Sequence, residues 1–348
     1  MVSARSKLPP PAMEGFIWRP AKRIDSAAIH RMLKQVDVVD DSDAAGLVED
    51  IERNFEDPWS DEPHDSLLAM LPDGKVVALG WVYMNPEPEK IHKAYLWLEV
   101  HPDYRDQGLD EAMLSWLVAR GEQRLSQKPT DRHCELRIAC PELLQKRAAL
   151  FEREGFQPIR YFLRMRRDLT KPIPDKSLPD GLALRTYRAE LDRSVMDAFN
   201  DSFQDHWNFT PVTEADWQLF FTGRSVFRPD LSYLAVTPDP ESGPEKIIGF
   251  CLNSVSPDEN ERHGVRKGSI NQLGVRQAWR KRGVGTALLC RSMSALKSEG
   301  LEYAVLGVDS ENSTGALQIY ESLGFEVVKR HISFAKTVIA VTDNRGLS

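Results

Sequence analysis

One long stretch of this chain occurs twice, and that repeat restricts the possible folds more than any other feature. LWLEVHPDYRDQGLDEAMLSWLVARG at 96–121 is similar to INQLGVRQAWRKRGVGTALLCRSMSALKSEG at 270–300. When Val100 is aligned with Val275, the arginine and the glycine that follow also match, and each pair lies 175 positions apart. A self-similar chain indicates a repeated structural unit, so a predicted fold has to explain both copies.

A second pair of segments extends the repeat. FEREGF at 151–156 is similar to YESLGF at 320–325, 169 positions further on. Because one hydrophobic core rarely grows beyond about 250–300 residues, a chain of 348 residues with this repeat is predicted to be a tandem duplication of one domain. The predicted organisation is a flexible N-terminal tail at 1–13, a first domain at 14–170, a proline-rich linker at 171–181 and a second domain at 182–341.

Each copy shows the same order of secondary-structure patterns. Two apolar runs at 67–70 and 76–83 flank Asp73-Gly74, which predicts a β-hairpin. The second copy has counterparts at 233–236 and 246–254. A strand, a basic glycine loop, an amphipathic helix and another strand follow. This order predicts a mixed α/β domain with a partly parallel sheet flanked by helices.

Composition excludes several classes of protein. The chain is 41% apolar and 28% charged, which is typical of a globular domain, and its net charge of −7 disfavours a nucleic-acid partner. No run approaches the roughly 18 apolar residues of a membrane span. The four cysteines include no CxxC pair, so neither a disulfide framework nor a metal site is predicted. The first 15 residues lack the apolar core of a signal peptide, so we expect a cytoplasmic protein without a membrane partner.

The loop RKRGVGT at 280–286 is the strongest chemical signal. It follows a strand and opens a helix, where unpaired N–H groups and the helix dipole favour an anion. Gly283 and Gly285 allow the backbone to approach a ligand closely, and Arg276 lies just upstream. The pattern predicts a diphosphate-binding loop. The alternative is a strand-to-helix turn with a solvated basic rim.

Two better-known phosphate motifs do not fit this loop. No GxxxxGK[ST] motif occurs in the chain. The dinucleotide-binding pattern needs a third glycine, and Leu288 stands in its place. A nucleotide-sugar or NAD-binding enzyme is therefore the weakest of the enzyme hypotheses.

The Arg-x-x-Gly-x-Gly pattern after a valine-ended strand resembles motif A of the GNAT (GCN5-related) N-acetyltransferases. The segment VLGVDSENSTGALQIYESLGF at 305–325 resembles their motif B. The resemblance covers both copies. The tandem layout is similar to the two-domain type that includes mycothiol synthase.

The resemblance implies two tandem acyl-CoA acyltransferase domains and acetyl-CoA as co-substrate, without a metal. An acetyl group would pass to a primary amine of a small molecule or peptide by direct attack. Backbone groups near Leu273 would bind the pantetheine arm, and the N–H groups at 282–286 would hold the diphosphate. The implied cofactor-binding residues are Leu273, Gly274, Val275, Arg280, Lys281, Arg282, Gly283, Val284, Gly285, Thr286 and Asn312.

Tyr320 is the candidate catalytic residue, as the general acid that protonates the departing thiolate. The alternative is a core tyrosine beside Phe325. For Asn312, a hydrogen bond to the cofactor and an N-cap of the next helix are both open.

The sequence does not single out a general base. Many family members place a carboxylate on the strand before the glycine loop, but Asn271 and Gln272 stand there and neither takes up a proton. Asp309, Glu311 and His263 are candidates, and so is a chain of water molecules.

The first copy departs from the pattern. Asp106 stands where the second copy has Lys281, and Asp110 where it has Gly285. Carboxylates repel a diphosphate. Phe151 matches Tyr320 and has no proton to give. We therefore predict a degenerate first domain and a catalytic second domain.

Asp205, His206 and Trp207, in an aromatic segment of the second copy, are predicted to contact the acceptor. The alternative is that these aromatics, at helical spacing, belong to the core. Two further functions stay open: acetylation of an amino-thiol glycoside, as in the mycothiol-synthase type, and an acyl-CoA-binding sensor without turnover. The acceptor is not identified, and the protein is either a monomer or a homodimer.

Overall fold

The computed structural model describes residues 8–42, 45–61, 63–84, 91–129, 132–207, 209–237, 245–312 and 315–339. The chain divides into two compact units. The first unit contains the described residues up to Tyr161 and those from His331 onward, and the second runs from Phe162 to Arg330.

The first unit has helices on both faces of one sheet. Its elements, in chain order, are β1 (Ile17–Arg19), α1 (Ser26–Asp40), α2 (Val48–Asn54), β2 (Ser66–Met70), β3 (Val76–Met84), β4 (His92–Val100), α3 (Leu109–Leu125), β5 (Cys134–Pro141) and α4 (Gln145–Arg153). Neighbouring strands from β1 to β4 are antiparallel. β4 and β5 are parallel, and they pair only over His92–Leu96 and Cys134–Ile138.

The second unit repeats this order. Its elements follow β6 (Gln157–Asp168), which begins in the first unit, and are β7 (Ala183–Thr186), α5 (Asp192–Phe203), α6 (Glu214–Trp217), β8 (Tyr233–Thr237), β9 (Lys246–Ser254), α7 (Pro257–His263), β10 (Lys267–Val275), α8 (Val284–Ser298), β11 (Tyr303–Asp309), α9 (Ala316–Ser322) and β12 (Glu326–Ile339). Strands β7 to β10 are antiparallel to their neighbours, and β10 and β11 are parallel.

Alternation along the strands produces a core on each face of each sheet, because successive side chains point to opposite sides. On β2, Leu67 packs in the cluster that contains α3, and Leu68 packs in the cluster that contains α1. On β8, Ala235 and Leu234 divide in the same way between the α8 and α5 clusters. The amphipathic helix predicted in each copy buries its apolar side: Leu109, Met113, Leu114 and Leu117 on α3, and Val284, Leu288, Leu289, Ala295 and Leu296 on α8.

The units differ from the repeat boundaries at one strand each. Phe162–Asp168 of β6 pairs antiparallel with β11, so this part of the first repeat completes the second unit's sheet. Residues 331–339 of β12 pair antiparallel with β5 and complete the first unit's sheet. The boundaries differ because the second half of each strand forms its hydrogen bonds with a strand of the other copy. Similarity between the copies does not specify that pairing.

The predicted fold class is confirmed: each sheet is mixed and partly parallel, with helices on its faces. No helix within the described ranges combines the length and the apolar composition that a bilayer crossing requires.

Candidate active site

The parallel strands of the second unit separate soon after they begin. β10 pairs with β11 only over three residues, Lys267 to Ser269. Beyond that point β10 stays paired with β9, with a bulge at Asn271, while β11 pairs on its other edge with β6 along its whole length. As far as the chain is described, one edge of β10 therefore has no strand partner over 270–275. Leu273 and Val275 on this stretch are half-buried, so a ligand can approach the strand there.

The basic loop connects this strand to the start of α8. Lys281 and Gly283 both have left-handed backbones, with φ of 59° and 84°. Gly283 is the N-cap of α8, and the first turn of the helix carries no acidic residue. Lys281 and Arg282 are exposed, and neither has a carboxylate partner among the described residues; the Arg282 guanidinium lies 5.0 Å from the centre of the Trp279 ring. The N–H groups of a helix start, the positive end of its dipole and two exposed cations together suit a diphosphate.

Arg280 occupies a different position from its two basic neighbours. Its guanidinium donates to the carbonyl of Val275 at 3.2 Å and to the carbonyl of Ser202 at 2.6 Å. It also pairs with both carboxylate oxygens of Asp205, and this hydrogen bonding lowers the pKa of Asp205. A predicted cofactor residue and a predicted acceptor residue thus bind each other.

The first unit contains the same pair. Arg105 donates to the carbonyl of Val100 at 3.0 Å and to both carboxylate oxygens of Asp40 at 2.7 Å. Because both copies have this pair and only the second has the basic loop, we assign the arginine a structural role: it anchors the strand end to the end of the first long helix in each unit.

The structure requires glycine at two of the three glycine positions of the site, for different reasons. Gly283 needs its positive φ. Gly274 needs its lack of a side chain, since a Cβ atom would lie 2.3 Å from the Phe250 ring. Gly285 has neither restriction, because a Cβ atom there would make an ordinary 3.5 Å contact with Val275. Local packing therefore does not explain the glycine at 285. Val284 is buried and Thr286 is half-buried beside it.

Tyr320 lies on α9 in the apolar cluster beneath α8, with only 8% of its surface exposed. Its ring centre is 5.9 Å from that of Phe325. Burial raises the pKa of the Tyr320 phenol, so the hydroxyl stays protonated at physiological pH. Within the described residues the hydroxyl forms no hydrogen bond, which leaves its proton available for a ligand.

Asn312 does not cap α9. Its N–H donates to the carbonyl of Asp309 at 3.1 Å, and the N-cap of α9 is Gly315. The capping alternative is wrong because the chain continues for three residues before the helix begins.

The possible bases lie around the ends of β10 and β11. The Asn271 side chain donates to the Ser254 hydroxyl at 2.8 Å. Asp309 accepts the N–H of Glu311 at 3.0 Å, and His263 is the last residue of α7. His206 is half-buried, and burial lowers the pKa of its imidazole although the nearby Asp205 and Asp309 carboxylates oppose the shift. His206 is consequently neutral near pH 7 and able to accept a proton.

The aromatic segment is divided between core and surface. Phe199 is buried and stacks on Phe203, at 4.4 Å between ring centres, as the core alternative predicted. Trp207 and Phe220, by contrast, are 38% and 43% exposed. Asp192 accepts hydrogen bonds from the Tyr187 hydroxyl and the Trp217 indole, each at 2.6 Å, and so fixes α6 beside α5.

In the first unit, ion pairs occupy the matching loop region. The backbones agree closely, since Asp106 and Gly108 have φ of 59° and 85°. The buried Arg147 guanidinium of α4 lies 3.0 Å from Glu99 on β4 and 3.8 Å from Asp110 in the first turn of α3. Two exposed ion pairs repeat the link between α4 and the loop: Lys146 with Asp106 at 2.7 Å and Arg153 with Glu111 at 3.2 Å.

Sequence reasoning missed Arg147 and Glu99, although the repeat contains the signal. At separations of 175, 175 and 169 positions, Glu99, Asp110 and Arg147 match Gly274, Gly285 and Ala316. The three members of a buried ionic cluster are thus replaced by the smallest residues in the second copy. The described residues include no group of three or more His, Cys, Asp or Glu side chains placed to hold a metal ion.

Known proteins match both copies of the repeat. The acetyltransferase (GNAT) family model matches residues 36–136 and 193–325. The mycothiol acetyltransferase of Acidothermus cellulolyticus is 29% identical over 321 residues, covering 88% of this chain and 90% of that protein. The mycothiol acetyltransferase of Salinispora tropica is 30% identical over 240 residues, covering 68% and 71%.

Two solved structures share the fold along nearly the whole chain. A GCN5-related N-acetyltransferase from Sphaerobacter thermophilus is 25% identical with a TM-score of 0.72, covering 95% of this chain and 98% of that one. A tandem GNAT protein from the clavulanic acid biosynthesis pathway has a TM-score of 0.65 at 15% identity, covering 94% and 100%, and so supports the fold alone.

Proposed function

Because the chain belongs to the GNAT acetyltransferase family and is an acetyl-CoA-dependent acyltransferase, we propose that its second domain transfers the acetyl group to a primary amine of a small molecule or peptide. The first domain, with the same loop backbone, has no part in the chemistry. The sequence bounds of 14–170 and 182–341 for these domains are part of the proposal.

One observation carries the assignment of chemistry to the second domain. The α8 N-terminus has no acid in its first turn, whereas that of α3 has Asp110 and Glu111. The N–H groups at 282–286 and the side chains of Lys281 and Arg282 would hold the diphosphate of acetyl-CoA. Arg280 supports them by anchoring the loop, since its own donors are already bound.

The unpaired edge of β10 supports a site for the pantetheine arm. Backbone groups of Leu273 to Val275 there would hydrogen-bond the arm and polarise the thioester carbonyl. Asn312 follows the last residue of β11, the strand that separates from β10, by three positions. We propose it as a further contact for the cofactor.

Direct attack by the amine fits the state of the cysteines. All four are buried, and burial raises the pKa of Cys140 and of Cys251 to about 12. A buried thiol with such a pKa is a poor nucleophile at neutral pH, so an acyl-cysteine intermediate is disfavoured. In the proposed reaction the amine nitrogen bonds to the carbonyl carbon, the carbon–sulfur bond breaks, and the nitrogen loses a proton.

Two proton transfers complete the reaction. Tyr320 donates its phenolic proton to the departing thiolate. The proton of the amine passes to a base near the strand ends, where Asp309, Glu311, His263 and water stay open and His206 is a further candidate. The exposed Trp207 ring, next to His206, is proposed to contact the acceptor; Asp205 contributes indirectly through Arg280.

An amino-thiol glycoside is the second candidate acceptor. It is favoured by the similarity to two mycothiol acetyltransferases, one of which matches 88% of the chain and thus both copies. The non-catalytic alternative to acetyl transfer is a sensor that binds acyl-CoA without turnover.

Release of free thiol from acetyl-CoA tests these assignments. The acceptors to be screened are polyamines, amino sugars, peptides, amine-bearing antibiotics and a cysteinyl amino-sugar glycoside. We expect thiol release that requires an amine and disappears in Gly285→Asp. Binding of acetyl-CoA without thiol release for any amine would favour the sensor. Thiol release that persists in Gly285→Asp would show that the second domain is not the catalytic one.

A further inference from the structure

The first unit has a pocket of about 480 Å³ that the acetyl-transfer chemistry does not use. It lies between α1 and the β2–β3 turn, and its volume is within the range of small-molecule sites. Ala28, Met32 and Val76 contribute apolar surface.

The charged side chains around this pocket are mainly cationic. Arg31 and Lys34 on α1 and Lys75 on the β2–β3 turn face one carboxylate, that of Asp103. Neither Arg31 nor Lys34 forms an ion pair with another described residue. Lys75 lies 5.2 Å from the centre of the Tyr104 ring. In a chain with a net charge of −7, this local excess of positive charge favours an anion.

His101 places a hydrogen-bond donor in the pocket wall. Its side chain is only 7% exposed, and its ring packs edge-on against Tyr104. Nδ1 accepts the N–H of Asp103 at 3.2 Å, so in the neutral imidazole the proton is on Nε2. Nε2 has no partner among the described residues. Burial and the neighbouring Lys75 lower the pKa of His101, which keeps the imidazole neutral at neutral pH.

The second unit fills the matching place with an ion pair. Arg276, 175 positions after His101, donates to the carbonyl of Ile247 at 2.7 Å and to Asp201 on α5 at 2.9 Å. In the first unit this arginine is replaced by His101, and Gln35 lines the pocket from α1. Among the described residues, the matching position thus carries an arginine held by a carboxylate in the second unit and a histidine at the pocket in the first.

We propose that this pocket binds a phosphate-bearing small molecule, with Arg31, Lys34 and Lys75 around its phosphate groups and His101 Nε2–H as a buried donor. A phosphomonoester or diphosphate matches the three cations, whereas a single carboxylate would leave most of their charge unbalanced. The apolar wall at Met32 and Val76 would contact the organic part of the ligand.

Calorimetric titration with sodium pyrophosphate tests the proposal. Gly285→Asp serves as the background, because it removes the predicted phosphate site of the second unit. We expect one pyrophosphate site per chain in this background. Adding Lys34→Glu and Lys75→Glu should weaken binding at least tenfold. Adding His101→Phe instead, which keeps a ring against Tyr104, should weaken it several-fold without a change in net charge.

The matched control is Lys171→Glu with Lys176→Glu in the same background, since these exposed lysines change net charge equally and lie outside the pocket. This control should bind pyrophosphate as the background does. No binding in the background, or equal loss in both charge-reversed proteins, would overturn the proposal. Circular dichroism checks that each variant folds. A protein that carries Lys34→Glu and Lys75→Glu but keeps Gly285 should transfer acetyl groups at the wild-type rate.

Discussion

At the residue scale, the hydroxyl of Tyr320 is the feature with the clearest consequence. Tyr320→Phe removes one oxygen and keeps the ring. Because a lost general acid typically costs about 100-fold or more, we expect kcat to fall by at least that factor. The affinity for acetyl-CoA should change little, since the loop and the β10 edge are untouched, so KM should not rise to match. Steady-state kinetics of the purified variant measure both quantities.

Two comparisons separate catalysis from packing. The first unit accepts phenylalanine at the matching position, where Phe151 is fully buried between Phe156 and Phe334. Tyr233→Phe is the matched control, because Tyr233 is another buried tyrosine in the second unit and lies on a different element. If Tyr320→Phe keeps more than half of the wild-type turnover, or if both variants lose activity equally, Tyr320 is not the acid.

The role of a site residue was predictable from the sequence where the local backbone determines it. It was not predictable where a partner distant in the sequence determines it. The pattern of 280–286 correctly predicts that a basic glycine loop opens a helix. It does not reveal that Arg280 binds Asp205, because the two are 75 positions apart and only the fold brings them together. The Arg105–Asp40 pair shows that the same fold makes the same contact in both copies.

At the scale of elements, the two helix N-termini differ in charge on the same backbone. Gly285→Asp copies Asp110 into α8. The position tolerates a Cβ atom, and a carboxylate in a first helical turn stabilises the helix by about 0.3–1 kcal/mol. We therefore expect the unliganded protein to keep its melting temperature while acetyl-CoA binding is lost, because the carboxylate faces the diphosphate.

Gly285→Ala is the control for this substitution, since it adds the Cβ atom without the charge. Calorimetric titration with acetyl-CoA should show that Gly285→Ala retains most of the affinity and that Gly285→Asp has lost it. Gly108→Asp would be a poorer comparison, because Gly108 has a φ of +85° that aspartate adopts only with strain. Equal loss of binding in the alanine and aspartate variants would show that steric access, not charge, distinguishes the two copies.

The identity and order of the elements were largely predictable, but the sheet that each last strand joins was not. Apolar alternation and the Asp-Gly turn locate β2 and β3, and the repeat locates their counterparts. β6 and β12 are each the last strand of their own copy, yet β6 pairs with β11 of the second copy and β12 with β5 of the first. Their places at the ends of the two copies do not specify this pairing. Register against a sheet edge is a long-range property that local pattern does not encode.

At the scale of the whole molecule, the chain has two copies of one loop backbone, and only the second carries the residues that we propose bind the cofactor. The buried Arg147 lies between Glu99 and Asp110, so its charge is already balanced inside the first unit. Removing one partner of such a cluster costs about 3–5 kcal/mol, which makes displacement by a diphosphate unfavourable. The second unit has glycine and alanine at the same positions and no such competition.

We therefore expect one acetyl-CoA per chain in calorimetric titration of the wild-type protein and none in Gly285→Asp. By linkage, cofactor at 100 times its Kd stabilises the protein by about 2.7 kcal/mol, which corresponds to a rise in Tm of about 5–11 °C for a unit of this size. The same cofactor should leave the Tm of Gly285→Asp unchanged. Two sites of equal affinity, or a retained site in Gly285→Asp, would mean that the first unit also binds acetyl-CoA, and loss of the extra site in Lys34→Glu with Lys75→Glu would place it in the pocket beside α1 and not at Arg147.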